Sequence, residues 1–135
     1  SIILEDAVTM VKWALENAIG GEIFVPKLKS YKIMDLDEAI GPSCKKQFIG
    51  LRPGEKIHEK MISQADNQST ISLKNYYAIL PPDGELEEKY KKLKIEFTKN
   101  NEGFSYSSGN NDSFLNVEEI RQLIVNYLDP KFVPI

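Results

Sequence analysis

Residues Glu5 to Ala18 place Ala7, Val8, Val11, Ala14, Leu15 and Ala18 at helical spacing on one face. A helix with an apolar stripe this long needs a surface to cover, and that need constrains the rest of the fold. Glu5 and Asp6 complement the positive end of its dipole, and Gly20-Gly21 supplies the stop. Trp13 lies off the main stripe, so one small sheet cannot cover Val8, Val11, Leu15 and Trp13 together. The chain opens with Ser-Ile-Ile-Leu rather than Met. The expectation is therefore that this segment belongs to a longer protein, and that part of the helix meets an absent half or a second copy.

The later segments are short. "EIFVP" is an apolar run closed by Pro26 and reads as a buried strand. An extended Lys32-Ile33 leads into a short helix around Asp35 to Ile40, ended by Gly41-Pro42. "KKQFIGLR" is a second strand candidate, and "STISLKNYYAILPP" a third, rich in β-branched and aromatic residues. Glu85 to Lys99 reads as a solvated helix or an insertion, and "SYSSGNND" as a polar loop. "NVEEIRQLIVNYLDP" reads as a capped amphipathic helix, with Asn116 at the cap, Glu119 three residues on and Pro130 beyond the end. This order describes one small mixed α/β domain over 135 residues. It lacks the long βαβ series of a free-standing nucleotide-binding sheet.

A net charge of −3 argues against non-specific nucleic-acid binding, which needs a basic footprint, yet leaves room for a nucleotide site. The single cysteine, Cys44, forms no internal disulfide and suits a reducing cytoplasm. No apolar run reaches the roughly 18 residues of a membrane helix, and nothing resembles a signal peptide.

The segment "GLRPGEKIHE" concentrates the candidate chemistry. Only two of the seventeen basic residues are arginine, and one of them, Arg52, sits at its Pro-Gly turn. A planar guanidinium differs from a lysine chiefly in gripping phosphate or carboxylate with two parallel bonds. The plain alternative is a surface turn with Arg52 in water. His58, the only histidine, is either a local packing residue or a site residue, and no clustered metal ligands accompany it. There is no Gly-x-Gly-x-x-Gly or phosphate-loop run. Tyr90/Lys94 and Tyr127/Lys131 have the spacing of a reductase Tyr-x-x-x-Lys pair. The first lies in a charge run and the second is interrupted by Pro130, so neither is retained.

Four segments, "GGEIFVPKLKSYKIMDLDEAI", "FIGLRPGEKIHEKMI", "NYYAILP" and "GFSYSSGNND…LNVEEIRQLI", occur in an order and spacing that closely resemble the C-terminal part of the inverting UDP-N-acetylglucosamine 4,6-dehydratases. These are extended short-chain dehydrogenase/reductases of polysaccharide and flagellin-glycan biosynthesis. The resemblance runs from Ser1 to about Leu123 and departs most over Glu85 to Lys99. It implies that residues 1–135 are a C-terminal substrate-binding domain, and that an N-terminal Rossmann half with the NADP and the Lys/Tyr catalytic groups is missing. It implies a reaction in which hydride leaves C4 of the sugar, water is eliminated across C5 and C6, and hydride returns to C6 with C5 inverted. By the same resemblance Arg52 binds the diphosphate of a UDP-sugar, Glu55 holds the turn or a ribose hydroxyl, and Asn111 contacts substrate. No catalytic residue, metal site or bound NADP is expected here, and the whole enzyme is expected to be a homo-oligomer. A UDP-sugar 4-epimerase or a related dehydratase with the same closing domain, and a non-catalytic binding module, remain as alternatives.

Overall fold

The computed structural model describes residues 2–135. Helix α1 (Leu4–Asn17), strand β1 (Ile23–Pro26), helix α2 (Ile33–Ile40), strand β2 (Lys60–Ile62), a 3-10 turn (Asp66–Ser69), strands β3 (Thr70–Ser72) and β4 (Tyr76–Ile79), helix α3 (Glu85–Lys92), strands β5 (Thr98–Lys99) and β6 (Tyr106–Ser107) and helix α4 (Val117–Tyr127) follow in order. The main sheet has the order β1-β4-β3-β5 with every neighbour antiparallel, and β2 pairs with β6 in a separate ribbon. This is the mixed α/β domain expected from the sequence.

Period-two alternation gives the main sheet two apolar faces. On one, Phe24 stands opposite Ala78, and Ile71, Leu73, Leu80, Leu86 and Tyr90 complete a buried cluster under α1 and α3. On the other, Val25 stands opposite Tyr77, and Ile62 and Tyr106 of the ribbon cover them. A third cluster, Ala39, Leu115 and Ile120, joins α2 to α4. Asn116 caps α4 in a full capping box: its side chain accepts from the Glu119 N–H, and Glu119 accepts from the Asn116 N–H.

Glu22 stitches α1 to β1. Its carboxylate accepts from the N–H groups of Ile19 and Gly20, each at 2.7 Å, and from the Tyr90 hydroxyl at 3.1 Å. Burial pushes its pKa up, but these bonds outweigh that and hold it below the ordinary carboxylate value.

The sheet does not cover Val8, Val11, Leu15 and Trp13 together, as expected, and three other expectations are corrected. The stripe of α1 does not face the sheet. Trp13 does, with its ring 5.0 Å from Phe24 and 4.4 Å from Tyr76, while Leu4, Val8, Val11 and Leu15 point outward. One large ring brings more area and two aromatic contacts to the sheet than the aliphatic stripe does. "KKQFIGLR" is no strand: residues 45–52 are irregular, and Phe48 is 83% exposed. Among the described residues no sheet edge receives it, and a strand without a partner leaves its ladder groups unpaired. "STISLKNYYAILPP" is a hairpin rather than one strand. The chain reverses at Lys74-Asn75, the Leu73 N–H donates to the Tyr76 carbonyl (2.8 Å), and Ser72 pairs with Tyr77. Glu85 to Lys99 is not a wholly solvated helix. Leu86 and Tyr90 project into the core, and the charges lie outside, with Glu87 bridging Lys91 and Lys99.

Candidate functional site

Arg52 begins a tight turn whose geometry follows from its two central residues. Pro53 fixes φ at the first, Gly54 takes φ +88° at the second, and the Glu55 N–H donates to the Arg52 carbonyl at 3.0 Å. That is the type II arrangement, in which the second central position favours glycine. Glu55 closes the turn a second time, because its carboxylate accepts from the Arg52 N–H at 2.8 Å. The Arg52 Nε lies 3.8 Å from the same carboxylate, too far for a hydrogen bond. Among the described residues the guanidinium has no other protein partner, and the side chain is 73% exposed.

The turn borders an open cleft of about 780 Å³ whose lining includes Ile33, Ile49, Arg52, Glu55, Lys56 and Glu59. Apolar side chains line part of it, and two cations and two carboxylates the rest. One carboxylate is already engaged in the turn. The arrangement leaves a positioned fork of N–H donors facing solvent beside a concave surface, which is what anion recognition needs. A second cavity, about 490 Å³, lies among Leu36, Leu115, Ile120, Leu123 and Ile124, and no cation is present in its lining.

Asn111 is turned inward. Its amide donates to the Leu28 carbonyl (2.6 Å) and the Ser30 hydroxyl (2.9 Å), and its oxygen accepts from the Ser113 N–H (3.2 Å). It ties the segment Leu28–Ser30 to the late polar loop. Arg52 and Glu55 thus share one cleft, and Asn111 lies outside its lining. His58 rests on Gly109 of that loop. Tyr90 is buried in the core, and Lys94 lies beyond the end of α3 with φ 55°. Tyr127 ends α4 ahead of Lys131. Neither Tyr/Lys pair shares a helix face.

Sequence reasoning missed Lys56 and Glu59, although both lie in the run that carries Arg52. It also missed Lys27, whose ammonium donates to the Ser72 hydroxyl (2.8 Å) and the Leu73 carbonyl (2.5 Å) and stands over the Tyr77 ring. Burial lowers its pKa. No local signal marked it, since its partners are about 45 residues away.

Residues 1–81 match the family described as polysaccharide biosynthesis protein, and the chain belongs to that family. It is similar to the UDP-N-acetylglucosamine 4,6-dehydratase (inverting) of Campylobacter jejuni, with 42% identity over 127 residues, covering 91% of this chain and 38% of the relative. It is also similar to the UDP-glucose 4-epimerase of Rickettsia canadensis, with 34% identity over 131 residues, covering 93% of this chain and 38% of the relative. The solved structure of Pen from Bacillus thuringiensis superposes with a TM-score of 0.71 at 27% identity, over 93% of this chain and 37% of that one. The chain thus spans about 38% of the length of the curated relatives it matches. No helix among the described residues is long and apolar enough to cross a membrane.

Proposed function

We propose that this chain is the nucleotide-sugar-binding part of a UDP-N-acetylglucosamine 4,6-dehydratase, and that Arg52 grips the diphosphate of its substrate. The observation that carries the reading is an exposed guanidinium on a type II turn closed by its own Glu55, at the edge of a large cleft. A diphosphate offers two adjacent anionic groups, and a bidentate fork held on a fixed backbone bridges them at low ordering cost. Glu55 holds the turn. Asn111 is the weaker substrate contact: it lies outside the cleft lining, and only its amide oxygen has capacity left for a ligand.

The described residues do not fit an NADP site. The helices start from Ile3, Lys32, Gly84 and Asn116, and none of these starts is a glycine-rich phosphate turn. Hydride chemistry is therefore assigned to a dinucleotide-binding half, and the exposed stripe Leu4, Val8, Val11 and Leu15 is expected to meet that half or a second copy. The residues described here bind the UDP end and orient the sugar toward that half. By itself the chain is expected to show no dehydratase activity and to retain no NADP. We place the enzyme in the cytoplasm, which suits its single exposed thiol, and expect it to work as a homo-oligomer. The higher identity to the dehydratase than to the epimerase favours elimination over simple C4 epimerisation.

Steady-state kinetics of the intact enzyme tests the reading. Arg52→Lys keeps the charge but loses one of two charge-assisted bonds, so KM for UDP-N-acetylglucosamine should rise about tenfold to a hundredfold. The reacting carbon lies at the other end of the ligand, so kcat should fall less. An unchanged KM in a folded Arg52→Ala enzyme returns Arg52 to the role of a surface residue. A 4-epimer as the sole product would assign the epimerase reaction instead.

A further inference from the structure

Six of the eight glycines have positive φ, which accounts for them by backbone conformation. Gly109 does not, so its missing side chain needs another reason. A Cβ at Gly109 would lie 2.6 Å from Cγ and Cδ2 of His58 and 2.9 Å from its Nδ1. The imidazole therefore rests directly on the glycine, in space that any side chain would fill. Next to this contact the two segments exchange hydrogen bonds. The Ser108 N–H donates to the Glu59 carbonyl at 2.8 Å, and the Glu59 N–H donates to the Ser108 hydroxyl at 3.0 Å.

The platform under the ring is itself braced. Asn110 accepts from the Ser107 N–H and hydroxyl, each at 2.8 Å, and donates to the Ser105 carbonyl at 2.8 Å. The other end of the arginine segment is tied by Lys46, which pairs with Asp37 at 2.8 Å and Glu38 at 3.1 Å. Between these two anchors, the hydrogen bonds and ion pairs of residues 47–57 are all internal to the Arg52–Glu55 turn. Among the described residues no hydrogen bond or ion pair ties residues 47–57 to the rest of the fold.

We propose that the His58 ring seated on Gly109 is the clamp that positions the Arg52 turn at its cleft, so that both are positioning residues for the anion Arg52 receives. The anion rests on the function proposed above; the clamp does not. Gly109 is glycine to admit the ring, and the ring is a flat group that bears on bare backbone. Removing either one frees the turn, and removing both adds little, because the two act through a single contact.

Trypsin reads the clamp in the 135-residue chain through its cleavage rate after Lys56, in native buffer. Gly109→Ala and His58→Ala should each raise that rate about tenfold, and the double variant should cleave no faster than either single one. His58→Phe, which keeps a flat ring, should cleave like the parent. Thermal unfolding should be nearly unchanged in all four, which separates a local clamp from general destabilisation. Additive effects of the two substitutions, or unchanged cleavage in Gly109→Ala, would overturn the clamp. Titration with UDP supplies the second arm, in which Gly109→Ala should lose affinity by the same factor. If Arg52→Ala weakens UDP binding while Gly109→Ala does not, the positioning role is wrong and the diphosphate reading stands. If Arg52→Ala binds UDP like the parent, the diphosphate reading fails, and the clamp stands or falls on cleavage alone.

Discussion

The two arginines of this chain lie in regions built on opposite terms. At the corner between α2 and α4, Arg121 directs Nε to the Ala39 carbonyl (3.2 Å) and Nη2 to the Glu38 carbonyl (3.1 Å). Its fork satisfies the last turn of α2, whose terminal carbonyls have no partner within the helix. At the Pro-Gly turn the backbone is closed by Glu55 instead, and the fork of Arg52 lies mostly in solvent, with only Nε 3.8 Å from that carboxylate. One guanidinium completes the fold, while the other leaves most of its donors to solvent. An arginine's role is read from what remains of its donors after the protein has been satisfied.

The contrast sets the order of expected effects on stability. Arg121→Ala leaves two helix-end carbonyls without their charged donor and should cost about 1.5–3 kcal/mol, measured as a shift in the urea midpoint. Asn116→Ala removes the cap from the helix that carries Arg121 and should cost about 1 kcal/mol in the same assay. Glu22 sharpens the comparison from the other side, since it too closes a turn with a carboxylate, but in partly buried surroundings. Its folded pKa is depressed, so the stability it contributes is present above its unfolded value and is lost as pH falls through the folded one. Glu22→Gln should therefore flatten the acid limb of the stability profile below about pH 4.3, the usual carboxylate value, by less than the cap effect. Arg52→Ala should leave the urea midpoint within about 0.5 kcal/mol of the parent, the smallest effect of the set. A large loss at Arg52, or none at Arg121, would break the distinction between the two regions.

Both ends of the chain were legible in the sequence. The Asn116-to-Glu119 capping box is a local signal that the structure realises, and α1 ends at Asn17, with Ala18 at its C-cap just ahead of Gly20-Gly21. Where the structure departs, the deciding partner is distant in sequence. Trp13 turns inward because Phe24 and Tyr76 wait there, while the aliphatic stripe stays outside. Tyr90 sat in an apparent charge run, but Glu22, 68 residues away, gives its hydroxyl a partner. "KKQFIGLR" reads as a strand candidate, yet among the described residues no edge strand meets it. At the candidate site the turn itself was legible from Pro53 and Gly54, because turn chemistry is local. The inward commitment of Asn111 was not, since Leu28 lies 83 residues before it.

Isothermal titration of the chain with UDP and with UMP, before and after Arg52→Ala, tests the central claim most directly. The parent should bind UDP more tightly than UMP, because the second phosphate supplies the other half of the bidentate contact. Arg52→Ala should weaken UDP binding about tenfold to a hundredfold, erase most of that preference and leave the unfolding midpoint in place. Equal affinity of parent and variant for UDP would contradict the account.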